Sequence, residues 1–337
     1  MKCFQFAPII CLITLLVSGC SNENAGNGSK ISINGNVGKS LGTKVYLNSY
    51  GDSMDIFMGN KVALDSSEID EKGNFAFNID ADGPLVFSLQ CGNKDLIVNQ
   101  LLCKGDHLDL DFIGELNVPK IVSKGEPADF NNYMLRFVET FYKVKDTKQD
   151  YYVNSNYLDV QQYAKYTSDR KKEMLDFYDK YFGDKSIRKE YRDYAIYTIN
   201  YEFACDRLMY LWKNRMKGHP AAPDSTYFDF IEPGFIENKD AFITPSYIRF
   251  LNLYVKDVYE RMVERGELPV DKTKSLVPVV EKYRIASGML HGQFLNAVKY
   301  NLISNDLVDL PGTHQKEQTA KLPLDSLEQL FKVKYNL

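Results

Sequence analysis

The chain reads as α+β, an N-terminal antiparallel β-sandwich followed by an all-α helical domain, and three observations predict this. Residues 31 to 113 alternate apolar and polar with period two, and turn signals interrupt that alternation every eight to fifteen residues. From Pro127 onward apolar residues recur instead at i, i+3, i+4 and i+7. The expected division is a leader over 1–19, an anchor and tether over 20–30 and a β-sandwich over 31–120. A helical domain over 125–305 and a linker with a short terminal segment over 306–337 complete it.

The leader has Lys2 as its positive end, a nearly continuous apolar run from Phe6 to Val17, and then Val17-Ser18-Gly19-Cys20. This is the pattern of a signal peptide closed by a lipobox. Cleavage before Cys20 would leave its thiol to carry diacylglycerol and its new amino group a further acyl chain. At roughly 0.8 kcal/mol per buried methylene such chains hold a protein on membrane lipid. The apolar run is too short to cross about 30 Å of hydrocarbon as a helix. Ser21, rather than aspartate, follows the lipidated position and favours the outer membrane of a Gram-negative envelope. Whether the periplasmic or the outer face is occupied stays open. The polar, glycine-containing stretch Ser21 to Ser29 is a flexible tether.

In the β region Ile31-Ser-Ile33-Asn alternates, Lys44 to Asn48 carries Val45 and Leu47, and Asn74 to Ile79 carries Phe75, Phe77 and Ile79 behind the turn Asp70 to Gly73. Leu85 to Gln90 and Leu96 to Leu102 flank the turn Gly92 to Asp95, and His107 to Phe112 follows the turn Lys104-Gly105-Asp106. One apolar and one polar face per strand suit antiparallel pairing. Cys91 sits beside its turn and Cys103 at the far end of the next strand. At roughly 3.3 Å per residue the two lie well beyond the 7 Å or so that a disulfide spans between Cα atoms. Both are expected as buried thiols, and so is Cys205.

The helical region divides at its breakers. Phe130, Tyr133, Met134, Phe137, Val138 and Phe141 form one stripe after Glu126-Pro127. A second helix is expected over Ser168 to Phe182 before Gly183, and a third over Ile187 to Met216 before Gly218-His219-Pro220. A short piece follows at Tyr227 to Ile231, then helices over Pro245 to Arg265 and Lys272 to Leu302. After a polar stretch from Pro311 to Lys321, Leu324, Leu327, Leu330 and Phe331 mark a last amphipathic segment. It either folds back on the bundle or offers a docking element to a protein partner.

Composition narrows the function. The formal charge is −4 and no basic stripe is visible, which argues against nucleic acid. Apolar residues at 44% and charged residues at 26% fit a globular chain. Twenty-three tyrosines and 20 phenylalanines stand against a single tryptophan. Tyr194, Tyr197, Tyr201, Arg207 and Trp212 on the third helix are the candidate ligand-binding residues, since aromatics near arginine can build a groove. Packing between helices is the alternative explanation.

The lipobox, Asp65-Ser-Ser-Glu-Ile-Asp70-Glu-Lys-Gly73-Asn-Phe75-Ala-Phe77, the Gly105-Asp106 turn before a strand, and Thr244-Pro-Ser-Tyr247-Ile-Arg-Phe250-Leu-Asn-Leu-Tyr254 together resemble the front part of TlpA-type thioredoxin-like envelope lipoproteins. The resemblance covers about residues 31 to 305. In that family a thioredoxin domain with Trp-Cys-x-x-Cys follows, but here no two cysteines are three apart and Trp212 lies far from any of them. Thiol exchange needs an attacking thiolate and a resolving partner, so the resemblance implies only an accessory role, with any thioredoxin domain on another chain.

Other chemistry is equally sparse. His107, His219, His291 and His314 stand singly without metal-ligand spacing. Asn78-Ile-Asp80-Ala-Asp82-Gly83 imitates the start of a calcium loop, but Leu89 stands where the bidentate glutamate belongs. Asp106, Asp109 and Asp111 are close in sequence, and the last two share the solvated face of a strand. No nucleophile elbow, phosphate loop or dinucleotide fingerprint occurs. No catalytic residue, metal or cofactor is therefore assigned. The expected function is a non-catalytic envelope lipoprotein that binds or positions a protein or ligand. The alternative is a hydrolase or glycan-active protein built from dispersed carboxylates. Cys20→Ala is expected to abolish palmitate labelling of the protein in growing cells and to leave the leader uncleaved on a gel.

Overall fold

The computed structural model describes residues 30–37, 42–49, 62–113, 118–142, 151–219, 222–268, 278–308, 323–335 and 337. The leader, Cys20, the tether, His314 and the stretch 311–321 lie outside them.

Eight strands follow in order: β1 Lys30–Asn36, β2 Lys44–Ser49, β3 Val62–Glu68, β4 Asn74–Asp80, β5 Leu85–Cys91, β6 Lys94–Leu102, β7 His107–Ile113 and β8 Val118–Ile121. They form two four-stranded sheets, ordered β4-β1-β7-β8 and β3-β2-β5-β6. The apolar sets read from the alternation, among them Ile31, Ile33, Val45, Leu47, Phe75, Phe77, Leu108 and Leu110, meet in one core. Gly35 pairs with Phe75, and a Cβ there would lie 2.2 Å from that ring, so the glycine lets the phenyl group cross the strand. Gly73 takes φ 89° in its turn while Asp70 accepts the N–H groups of Lys72 and Asn74.

The chain is α+β, two mostly antiparallel four-stranded sheets followed by helices, and it differs from expectation in two details. Pairing is not wholly antiparallel, because β1 runs parallel to β7 in the register Ile33 to Leu108. Alternation has the same period in both directions, so pattern alone carries no strand order. The strands β3 and β8 lie where no strand was expected, since Val62–Glu68 is mostly polar and Val118–Ile121 contains a proline. The calcium-loop imitation is the end of β4 and the turn after it.

The helices are α1 Glu126–Phe141, α2 Tyr151–Tyr157, α3 Val160–Phe182, α4 Lys189–Met216, α5 Pro245–Glu264, α6 Pro278–Met289, α7 Gly292–Val308 and α8 Leu324–Tyr335, with 3₁₀ turns at Ser225–Phe228 and Asp240–Ile243. The second expected helix is longer at its start. Asp159 and Gln162 form a capping box, and the side chain of Asp159 accepts the N–H groups of Gln161 and Gln162. The single helix expected from Lys272 to Leu302 is instead two. The chain breaks at Leu290-His291, Gly292 adopts φ 52°, and the His291 N–H bonds Glu237 at 2.7 Å.

The sheet and the helices share a core. On β5 and β6, Val86 and Leu101 turn away from the sandwich to meet Phe130, Tyr133 and Met134 of α1 and Tyr191 and Tyr194 of α4. At the margin of that sheet Asn131 accepts from the Leu101 N–H at 3.0 Å and donates to the Leu101 carbonyl at 2.8 Å. A polar fastening lies beside it. The side chain of Asp106 is only 5% exposed and accepts from the Cys103 N–H at 2.6 Å, from Arg188 Nη2 at 2.5 Å and from the Tyr191 hydroxyl. Its carbonyl accepts from Ser32 of β1, and Arg188 Nε reaches Glu126 of α1 at 2.6 Å.

Asp106 therefore joins β1 through its carbonyl and the end of β6 and α4 through its carboxylate, and Arg188 extends the fastening to α1. Asp106→Ala would leave a buried phenol and a buried N–H without their acceptor, and the Arg188 guanidinium with Glu126 as its one remaining carboxylate partner. The expected loss is about 3–5 kcal/mol, read as a lowered urea midpoint of the full chain.

Candidate functional site

The five aromatic and arginine candidates are not gathered into one groove. They lie on α4 across 18 residues, about 27 Å at 1.5 Å per residue, and face different surroundings. Tyr194 is buried against α1 and lines a cavity of about 230 Å³ with Thr198, Glu202 and Ser246. Tyr197 and Tyr201 line an open cleft of about 400 Å³ that carries Glu232, Glu237 and Asp240, and the Tyr201 hydroxyl donates to the Phe235 carbonyl at 2.9 Å.

Arg207 is buried and committed. Its Nε donates to Thr167, Nη1 to the Tyr227 carbonyl, and Nη2 to the Ala164 carbonyl and Ser168. It binds α3 to α4 and to the segment after α4, which is a packing role. Trp212 lies half-buried, with the ammonium of Lys256 3.8 Å from its ring centroid.

The last candidates fall on α8, which folds back. Leu327 and Phe331 are fully buried with Val280 of α6 and Ile303 and Leu307 of α7, and Leu324 packs at the edge of that cluster. Leu330 alone of the four is half-exposed. Leu327 and Phe331 thus serve an intramolecular seat and are not free to contact another chain while α8 is docked.

Lys256 belongs to the arrangement with the most pronounced chemistry. On α5, Arg249, Asn252, Leu253 and Lys256 follow the spacing i, i+3, i+4, i+7 and form one wall of a cavity of about 520 Å³. Pro278, Val279 and Lys282 of α6 form the second wall, and Asn301, Leu302, Asn305 and Asp306 of α7 the third. A chain of amides runs from its exposed edge on α7 across to α5. Asn305 Nδ2 donates to Asn301 Oδ1 at 2.7 Å, Asn301 Nδ2 to Asn252 Oδ1 at 2.7 Å, and Asn252 Nδ2 to the Ile248 carbonyl at 2.9 Å.

Two half-buried lysines line this cavity. Lys256 sits on Trp212 and Lys282 lies 5.1 Å from the ring centroid of Tyr259, and neither makes an ion pair among the described residues. Burial lowers the pKa of each, and the charges of Lys282 and Arg215 lower that of Lys256 further. Glu260, whose charge opposes both shifts, is bonded to Arg215 Nη1 at 3.2 Å. The cavity therefore pairs apolar walls with positive charge that no contacting carboxylate cancels, which suits an organic ligand with acceptor oxygens.

A second polar arrangement is smaller. Glu202 and Asp206 stand four apart on α4, and Arg249 Nη2 bonds Glu202 at 2.5 Å. Burial pushes the Asp206 carboxyl up to about 7, the Glu202 charge adds to this, and Arg170 and Arg249 oppose it. Thr198 Oγ1 and Ser246 Oγ, from residues lining the adjoining 230 Å³ cavity, are buried without a hydrogen-bond partner.

The cysteines among the described residues offer no thiolate. Cys91, Cys103 and Cys205 are buried without disulfides, and burial raises all three, Cys103 and Cys205 to about 12. Cys91 belongs to the sandwich core and Cys103 to the core shared with the helices. His107 bonds Ser32 and Asp109 on the outer face of the first sheet, His219 follows α4, and His291 pairs with Glu237. Among the described residues no group of three histidine, cysteine or carboxylate side chains could hold a metal ion. No described helix is long and apolar enough to cross a membrane.

The cavity residues escaped the sequence reading. One signal was available, since Asn301 and Ser304 interrupt the apolar run of α7 yet are buried. No family model, curated protein or solved structure matches this chain.

In the folded chain Asp206 keeps its proton to about pH 7, against 3.8 for an ordinary aspartate. The folded state binds more protons across that interval, so stability is lost as pH rises through it. Asp206→Asn is expected to stabilise the protein by about 1–2 kcal/mol at pH 8. The gain should close as the pH falls to about 4, followed as the difference in thermal midpoints.

Proposed function

We propose that this protein is a non-catalytic lipoprotein of the Gram-negative envelope, held on membrane lipid through Cys20, whose helical region takes up a small organic ligand. The leader and lipobox support the location, as does the resemblance to TlpA-type lipoproteins, and Ser21 favours the outer membrane. The observation that carries the ligand reading is the cavity between α5, α6 and α7. It has the size of a small-molecule site, apolar walls, and a few convergent polar groups. An accessory role beside a thioredoxin-fold chain is compatible with the same reading, because the buried thiols described here supply no exchange chemistry of their own.

One observation favours the catalytic alternative. A carboxyl raised to about 7 with a second carboxyl group beside it is the kind of pairing that a glycan hydrolase uses as general acid and charge stabiliser. Here Arg249 already engages Glu202, which leaves that carboxylate less free to act. Release of new reducing ends from purified cell-wall glycan by the intact protein, lost in Asp206→Asn, would replace the binding reading.

Native mass spectrometry of the lipoprotein, extracted gently from its own membrane in neutral detergent, tests the proposal. A small bound mass is expected, and it should disappear in Asn305→Trp, where an indole at an exposed position of α7 fills the cavity mouth. A bound mass indifferent to that substitution would overturn the assignment. So would a protein that comes away empty while still crosslinking to another chain.

A further inference from the structure

The α5–α7 cavity and the seat of α8 share residues. Val279 of α6 lines the cavity while its neighbour Val280 packs under α8, and Asn305 and Asp306 of α7 do the first while Ile303 and Leu307 do the second. Val279 and Asp306 each belong to both, and Asp306 is the charged one. It is the one carboxylate among the described residues lining the cavity. Its oxygens do not serve the cavity. Lys334 of α8 donates to Oδ2 at 2.8 Å, and the Tyr335 hydroxyl lies 2.8 Å from Oδ1 and 2.9 Å from Oδ2. The side chain is only 14% exposed.

The other polar contacts of α8 keep it in this position. Glu328 accepts from Lys299 Nζ at 2.8 Å and from the Tyr283 hydroxyl, and Leu327 and Phe331 fill the apolar seat. Arg249, the third cation of the cavity, is paired with Glu202. What remains for a ligand is the charge of Lys256 and Lys282, which line the cavity together with Leu253, Pro278, Val279 and Leu302.

We infer that the cavity takes a small organic anion, a carboxylate or phosphate on an apolar body, held by Lys256 and Lys282, and that α8 completes the site by taking the charge of Asp306 out of it. This rests on the cavity reading and adds the ligand class and the part played by α8. With α8 docked, two ammonium groups act on an incoming anion and the single negative charge of the wall is bonded elsewhere. With Lys334 and Tyr335 removed, that negative charge faces the cavity and opposes the ligand. Charges several ångströms apart near a protein surface change affinity on the order of tenfold. Lys334 and Tyr335 are thus positioning residues that act through Asp306 and do not touch the ligand.

Isothermal titration of the full lipoprotein in neutral detergent with benzene-1,3,5-tricarboxylate, and with its uncharged triamide as control, tests this. The tricarboxylate should bind and the triamide should not, and Lys256→Met with Lys282→Met should abolish binding. Lys334→Met with Tyr335→Phe should weaken binding about tenfold. Adding Asp306→Asn to that pair should restore it, which a helix acting only as a mechanical prop would not allow. Equal binding of tricarboxylate and triamide would overturn the inference, as would indifference to the α8 pair or failure of Asp306→Asn to rescue it. In each of those cases the bound mass lost in Asn305→Trp still decides separately whether the cavity is a ligand site.

Discussion

The buried carboxylate of Asp106 is the constraint on which the rest of the molecule depends. A lone ion in that position would be expensive, and the fold surrounds it with a guanidinium, a phenol and a backbone N–H contributed by elements far apart in the chain. Because Arg188 stands at the start of α4 and also holds Glu126 at the start of α1, the origins of two helices are set against the end of β6. The apolar contact of Val86 and Leu101 with those helices then follows in one registration. Everything beyond α4, including α5 and the cavity walls, is placed from that reference.

The molecule treats its cations in two ways. Arg188, Arg207 and Arg215 are planar donors with their N–H groups taken by carboxylates, carbonyls or hydroxyls, Arg215 bonding Asp257, Glu260 and Glu264 together. Such groups join helices and have little left to offer a ligand. Lys256 and Lys282 lie against aromatic rings, as Arg188 and Arg207 also do, but among the described residues no carboxylate or carbonyl is bonded to their ammonium groups. That difference separates the structural arginine at 207 from the lysines of the cavity, although sequence alone made the arginine look the more promising.

Local periodicity was legible wherever one face of an element is buried. The alternation of β1, β4 and β7 and the stripes of α1 and α5 appear in the chain much as they appear in the fold. Four things were not legible. Strand order was hidden because pleating has no direction, and the break at His291 because its cap, Glu237, lies 54 residues away. Asp106 read as one of a trio of aspartates, yet Asp111 is exposed and Asp106 is buried only because Arg188 and Tyr191 arrive from another part of the chain. The cavity is a property of three helices at once, so no segment of sequence contains it.

The contact of Asn131 with Leu101 bears on what the protein avoids. β6 is the last strand of its sheet, and an unpaired margin is a template on which a second copy can add a strand. A single carboxamide from α1 satisfies both backbone groups of Leu101, mimicking a neighbouring strand for one residue. The helix then covers the margin beside it. Self-association by strand addition is blocked at that point by an intramolecular amide, and the same side chain that seats the helix also protects the solubility of the fold.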